Sequence, residues 1–385
     1  MVYPRFFTVT MKRTCLFQRR DLIVMATKWS KRNSLGIILF LVVGLTNLVR
    51  AQNGLGKVDS ILHGYLNKGE FMGTVLVARN DSILLKKGYG YSDIDKGIPN
   101  DLNTKFPIGS LTKSFVACAI MQQVETGKLD LSTRIGNYIP ELEKEIGNLT
   151  LHYLLKNSSG LPVHLNRITD LQYRDISSQE LLDIINRASL SMKPGSGYSY
   201  SNLNYQLASL ILERVTGISY ENYMSENVFR KLDMNNTGIE KTRSIPSGRA
   251  TGYINDDHYE AADRNYMGYA KGSGDMYSTV GDLYFWDRAL YKNTFLTKES
   301  IELMFDGNPD AFGGYGYGFK VKEYKRNSCT KPTGKLVRHG GSMYGFVCNV
   351  HRYLDDNLTI IILGNIRPFP IMQITTEIEK SLLGT

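Results

Sequence analysis

Hydrophobic positions along the chain change their period several times, and each change marks an element. Val58, Ile61, Leu62 and Leu66 fall on one helical face and predict a helix over residues 52–67. Two β-rich runs, residues 74–78 and 82–86, flank Arg79-Asn80-Asp81 and predict a hairpin. From Ser110 to Glu125 the period turns helical, through Leu111, Phe115, Val116, Ala119, Ile120 and Val124, and Gly127 closes that helix. Helical patterns then dominate to about residue 235, including 178–187 and 203–216, while 236–275 is polar and irregular. Val280–Tyr291 reads as helix again. Strands follow at 315–324, 335–338, Phe346–Tyr353 and 358–363, and a helix at Ile371–Leu383 ends the chain. Strands thus flank a long helical middle. The expected α+β solution is an antiparallel sheet built from both chain ends, with helices on its faces. The sheet part should occupy about 52–115 and 275–385, and a helical insertion about 116–274.

Ahead of this body, residues 35–49 (LGIILFLVVGLTNLV) form one weakly polar-to-apolar run. It is shorter than the roughly 20 residues a membrane span needs. Lys28, Lys31 and Arg32 precede it, and Val49-Arg50-Ala51 offers a cut before Gln52. That order of charge, apolar run and small residue reads as a secretory signal peptide. Residues 1–51 are therefore expected to be removed and residues 52–385 to work in the periplasm or outside the cell, without a stable membrane span. A retained membrane anchor is the alternative. Met25 offers a second start, which would make residues 1–24 an overlong reading.

Composition acts mainly by exclusion. At 385 residues, 42% hydrophobic and 22% charged, the chain is ordinary globular material. The net charge of +9 is concentrated in the leader, where residues 1–51 carry nine Lys/Arg and one acid. The body is left with 37 basic against 36 acidic residues, so the footprint of a nucleic-acid binder is missing. The six His show no metal-ligand spacing, and no metal is expected. Cys118 lies in an apolar helical stretch and reads as core. Whether Cys329 and Cys348 pair stays open.

No P-loop and no G-x-S-x-G is present. Gly314, Gly316 and Gly318 alternate as in a strand that something approaches closely. Ser110-Leu111-Thr112-Lys113 puts a serine at a helix start and a lysine one turn on, on the same face. Helix N-terminal N–H groups favour negative charge there, and burial would favour a neutral lysine able to accept the serine proton. A second S-x-x-K, Ser328 to Lys331, lies in a polar stretch before Pro332 and reads as a solvated loop. Y-x-N begins at Tyr65, Tyr200, Tyr220, Tyr253 and Tyr291. Only Tyr200-Ser201-Asn202 follows a Pro-Gly-rich turn and opens a helix; the other four read as surface or helix-face tyrosines. H-x-G occurs once, at His339-Gly340-Gly341, with Gly345 near, and suggests a backbone that must be approached closely.

At these residues the chain resembles the serine β-lactamase and DD-peptidase superfamily. The similar branch holds class C β-lactamases, D-alanyl-D-alanine carboxypeptidases and β-lactamase-like esterases. The three motifs come in that branch's order, and the likeness extends through LTLHYLLKNSSGLP (149–162), Pro194–Gly217, KLDMNNT (231–237) and GSGDMYSTVGDL (272–283). Lys231 and Asp233 depart from the family's P-L-G-M pattern. The resemblance implies a β-lactamase/transpeptidase-like fold and a serine hydrolase with no cofactor. Its substrate would be a small molecule or peptide, peptidoglycan-derived ones included. Ser110 would form an acyl-enzyme, with Lys113 and Tyr200 sharing the proton work through a phenolate that an ammonium stabilises. Asn202 would hydrogen-bond Lys113 and the substrate amide. His339, where most β-lactamases carry Lys, would be cationic part of the time, and Gly341 and Ser342 would line the substrate. The backbone N–H groups of Ser110 and Ser342 would form the oxyanion hole. Arg338 should point to the opposite face of its strand. D-alanyl peptides, β-lactams and small esters all remain open as substrates. The competing expectation is a catalytically idle penicillin- or peptidoglycan-binding protein of the same fold.

Overall fold

The first hairpin forms where its turn residues stand. β1 (Gly73–Arg79) and β2 (Ser82–Tyr89) are joined through Asn80 and Asp81 at φ 49° and 66°. Asn and Asp tolerate that left-handed pair better than other side chains. The computed structural model describes residues 56–384, apart from 164–173, 242–243, 257, 264–266, 308–312 and 329. The leader with its cut before Gln52, and Cys329 with its pairing, lie outside the described residues.

The remaining strands of the main sheet come from the other end of the chain. They are β3 (Lys320–Lys325), β4 (Thr333–Met343), β5 (Phe346–Tyr353) and β6 (Leu358–Gly364). The order is β3-β4-β5-β6-β1-β2, antiparallel throughout. β1 pairs with β6 from Gly73 opposite Gly364 to Arg79 opposite Leu358, which brings the two chain ends together. Both faces of the sheet are apolar. Leu76 and Ala78 of β1, with Ile361 and Leu363 of β6, face one hydrophobic layer. Val75 and Val77, with Ile360 and Ile362, face the other. A strand buried on both faces reads as a continuous apolar run, as β6 does.

The smaller layer is closed by α1 (residues 56–67), through Val58 and Leu62, and by the last helix through Ile374 and Ile378. The larger layer contains α2 (Thr112–Glu125), α3 (Asn202–Thr216) and α4 (Val280–Tyr291), and α5 (Ile371–Leu383) is that last helix of the smaller layer. α2 is buried nearly all round. Phe115 stacks on Trp286 of α4 at 4.5 Å between ring centres. Among the described residues no helix is long and apolar enough to cross a membrane.

Three expectations need correction. Residues 315–319 are not strand: Gly313, Gly314 and Gly318 at φ 58°, 74° and 75° wind them into turns, and only Lys320–Lys325 extends. Their close approach is real, since a Cβ on Gly316 would meet Met304 O at 2.0 Å and one on Gly318 would meet Ser114 Cα at 2.7 Å. The polar stretch 236–275 contains short strands at Gly238–Ile239, Tyr253–Asp256 and His258–Ala261. Finally, Tyr253 is buried on a short strand rather than on the surface or a helix face, and its hydroxyl accepts the Ile94 N–H, while Tyr65 and Tyr220 lie on helices as expected, buried, with hydroxyls bonded to Glu377 and Asp275.

Candidate active site

Ser110 lies in a single 3₁₀ turn, Gly109–Leu111, that runs directly into α2. The turn is fixed from below: Ile108 N–H donates to Met276 O at 2.9 Å, and the free thiol of Cys348 donates to Ile108 O at 3.0 Å. The far end of β4 presses against it. A Cβ on Gly341 would stand 1.9 Å from Ile108 O and 2.8 Å from Ser110 N, and one on Gly109 would stand 3.0 Å from Ser342 N. Glycine at both positions lets the two backbone segments that carry the Ser110 and Ser342 amides pack closely against each other.

Lys113, in the first turn of α2, is fully buried and reaches back to Ser110, with Nζ 3.1 Å from Oγ. Its second partner is the carbonyl of Ser273, which accepts from Nζ at 2.6 Å and which nothing in the sequence pointed to. Burial pushes the Lys113 amine well below its ordinary value, opposed by the buried Asp275 carboxylate, so the neutral amine is favoured.

Tyr200 sits two residues ahead of α3, with its ring centre 5.0 Å from Lys113 Nζ. Burial pushes the Tyr200 phenol up, against the pull of its hydrogen bond with Ser110. Burial thus disfavours both the Lys113 ammonium and the Tyr200 phenolate in the resting site. Asn202 opens α3 and gives its N–H to Val163 O at 2.9 Å. Tyr205, one turn on, brings its ring to 5.9 Å from Lys113 Nζ, so this side of the helix looks onto the lysine.

His339 lies on β4 and is 4% exposed. Nδ1 is 2.7 Å from Gly340 O, which can only accept, so Nδ1 carries the proton. Nε2 then accepts the Tyr315 hydroxyl at 3.0 Å. Burial drives the imidazole down to about 3. The expected part-time cation is therefore held neutral. Arg338 faces away, toward Met372 of α5, with Nη1 3.4 Å from its sulfur.

The structure thus brings Ser110, Lys113, Tyr200, His339, Gly341 and Ser342 to one place, with Asn202 at the adjoining helix start. Sequence reasoning missed Tyr315, Ser273 and Asp275. Tyr315 is fully buried, with its ring 6.3 Å from Tyr200 and 5.9 Å from His339. The Gly-Tyr-Gly-Tyr-Gly run was the available signal. Among the described residues no cluster of His, Cys, Asp or Glu could hold a metal ion.

Comparison with known proteins agrees with this fold. The model of the family described as Beta-lactamase matches residues 58–379. Penicillin-binding protein 4* of Bacillus subtilis is 29% identical over 352 residues, covering 86% of this chain and 75% of that protein. Two further curated relatives are spanned for 64% and 66% of their length, just under two thirds. The octameric penicillin-binding protein homologue of Pyrococcus abyssi superposes with a TM-score of 0.72 at 26% identity, over 86% of this chain and 77% of that one. The D-amino acid amidase of Ochrobactrum anthropi gives 0.72 at 22% identity, over 85% and 98% when aligned with its D-phenylalanine complex, which is a likeness of fold.

Proposed function

The chain belongs to the β-lactamase family, and from that premise we propose that it is an exported serine hydrolase that works through an acyl-enzyme on Ser110. The observation that carries this reading is the fully buried Lys113, with Nζ 3.1 Å from Ser110 Oγ and an amine that burial keeps neutral. Ser110 Oγ attacks the acyl carbonyl carbon, and its proton passes to Lys113 Nζ. The carbonyl oxygen becomes an oxyanion between the Ser110 and Ser342 N–H groups. Collapse breaks the bond to the leaving group, which departs with a proton supplied through the Tyr200 phenol. Water, deprotonated by the same pair, then releases the acid product and restores the Ser110 hydroxyl. Asn202 orients the acyl amide.

The substrate class follows from His339. A neutral imidazole whose two nitrogens are already bonded to Gly340 O and the Tyr315 hydroxyl supplies no fixed charge, which favours amide, peptide or ester groups over a carboxylate that needs a permanent cation. Relatives with penicillin-binding and amidase names fit acyl transfer of this kind. The test is turnover of p-nitrophenyl acetate, a D-alanyl-D-alanine peptide, a D-amino acid amide and a chromogenic cephalosporin, beside Ser110→Ala. Turnover of any one, lost in the variant, supports a hydrolase. Tight binding of penicillin without turnover of any would favour the idle binding protein instead.

A further inference from the structure

The carbonyl on Lys113 is delivered by a tightly wound turn. Ser273 and Gly274 both donate their N–H to Ala270 O at 2.8 Å, and Ser273 Oγ donates to the same oxygen at 3.1 Å. Gly272 stands at φ 65°, where a Cβ would come within 2.6 Å of Ser209 Cβ. The turn is closed by Asp275, which is 3% exposed and whose Oδ1 accepts the Gly272 N–H at 3.2 Å and the Tyr220 hydroxyl at 3.1 Å. Its backbone carbonyl accepts the Glu240 N–H at 2.7 Å. Resting on the serine-hydrolase reading, we propose that Asp275 is a positioning residue for the acylation step. Its carboxylate clamps the turn that holds the Ser273 carbonyl on Lys113, and it is the buried negative charge against which Lys113 becomes an ammonium.

When Lys113 takes the Ser110 proton, an ammonium forms where little water reaches. Such a charge is costly unless an opposite one is built in. Around Lys113 stand the uncharged Tyr200, Tyr205 and His339, so Asp275 is the acid that acts on it. Around Asp275 stand Tyr220 and Lys271, and Lys271 is itself paired to Glu213 at 2.8 Å and Glu221 at 3.5 Å. Glu240 and Lys241 line the same cleft of about 350 Å³ as Asp275. Burial raises the Asp275 carboxyl and the bonds from Gly272 and Tyr220 oppose it, leaving it at about 7. The charge behind Lys113 therefore switches on near neutral pH.

The experiment is the rate at which a fluorophosphonate labels Ser110 in the full chain, measured from pH 5 to 10. Asp275→Asn keeps an acceptor for Tyr220 and Gly272 and removes the charge. Lys113 then loses the group that raises its basicity, so the acid limb of the profile moves to lower pH by about one unit. The break near neutral pH, which belongs to Asp275, disappears. Tyr220→Phe removes one bond that favours the carboxylate, so that break moves upward; this variant carries the test if Asp275→Asn does not fold. Labelling of wild type but not of Ser110→Ala, with unshifted profiles in Asp275→Asn and Tyr220→Phe, overturns the inference alone. No labelling of wild type overturns the serine-hydrolase reading and the inference with it.

Discussion

The chain contains the same four-residue pattern twice, and only one copy is built to react. In the first, Lys113 is fully buried, touches Ser110 and is favoured as a neutral amine. In the second, Lys331 is 61% exposed and bonded to Asp355, while Ser328 Oγ accepts the Lys331 N–H at 3.2 Å and lies 3.3 Å from Thr330 Oγ1. The first serine stands at the entrance of a buried helix. The second caps a polar turn. The difference is burial: Lys113 is cut off from water, which disfavours its charged form, whereas Lys331 is exposed and paired to Asp355. A motif names the groups; packing decides their protonation.

Substitutions at the two copies should separate them sharply. Ser110→Ala should lower acylation at least about 10³-fold, while Ser328→Ala leaves it unchanged, read by fluorophosphonate labelling. Lys113→Met should cost about 10²–10⁴-fold in acylation rate. It should also stabilise the fold at neutral pH. Lys113 is neutral when folded and protonated when unfolded, so the unfolded state binds the extra proton and stability rises with pH toward 10.5. Lys113→Met removes that cost, so its gain in Tm should be largest near neutral pH and shrink as the pH rises. Lys331→Met should change stability by no more than about 0.5 kcal/mol.

Gly341→Ala sharpens the contrast through the backbone. Its Cβ would fall 1.9 Å from the Ile108 carbonyl, so β4 or the Ser110 turn must move. A loss of about 1–3 kcal/mol is expected in denaturant unfolding, with acylation falling alongside. The smallest effect belongs to Tyr315→Phe, which removes the donor to His339 and should cost about 1 kcal/mol. His339 sits at about 3 folded against an ordinary 6.5, so its share of stability is fully present above 6.5 and declines as pH falls toward 3. Tyr315→Phe should flatten that decline in Tm measured against pH.

Legibility in the sequence followed the range of the cause. The hairpin at Asn80-Asp81, the helix after Ser110, Val280–Tyr291 and Ile371–Leu383 are set by neighbours a few residues apart, and the structure has them in place. Residues 315–319 misled because Gly-Tyr alternation looks like a strand, whereas positive φ at three glycines bends the chain into turns. The short strands between Gly238 and Ala261 carry polar sequences and pair mainly through backbone. At the site, Ser110 and Lys113 were legible because one helical turn joins them. Ser273 was not, because it meets Lys113 from 160 residues away. The depressed titration of His339 comes from burial, and its Nε2 is bonded to Tyr315, neither of which a spacing rule encodes. The buried bond of Tyr220 was not legible because its partner, Asp275, is 55 residues on.

The most direct test is the intact mass of residues 52–385 after exposure to penicillin or a fluorophosphonate, beside Ser110→Ala and Ser328→Ala. A serine acyl-enzyme gives one adduct in wild type and in Ser328→Ala, mapped to the Ser110 peptide, and none in Ser110→Ala. An adduct that survives Ser110→Ala, or no adduct with either reagent, contradicts the assignment of Ser110 as the nucleophile.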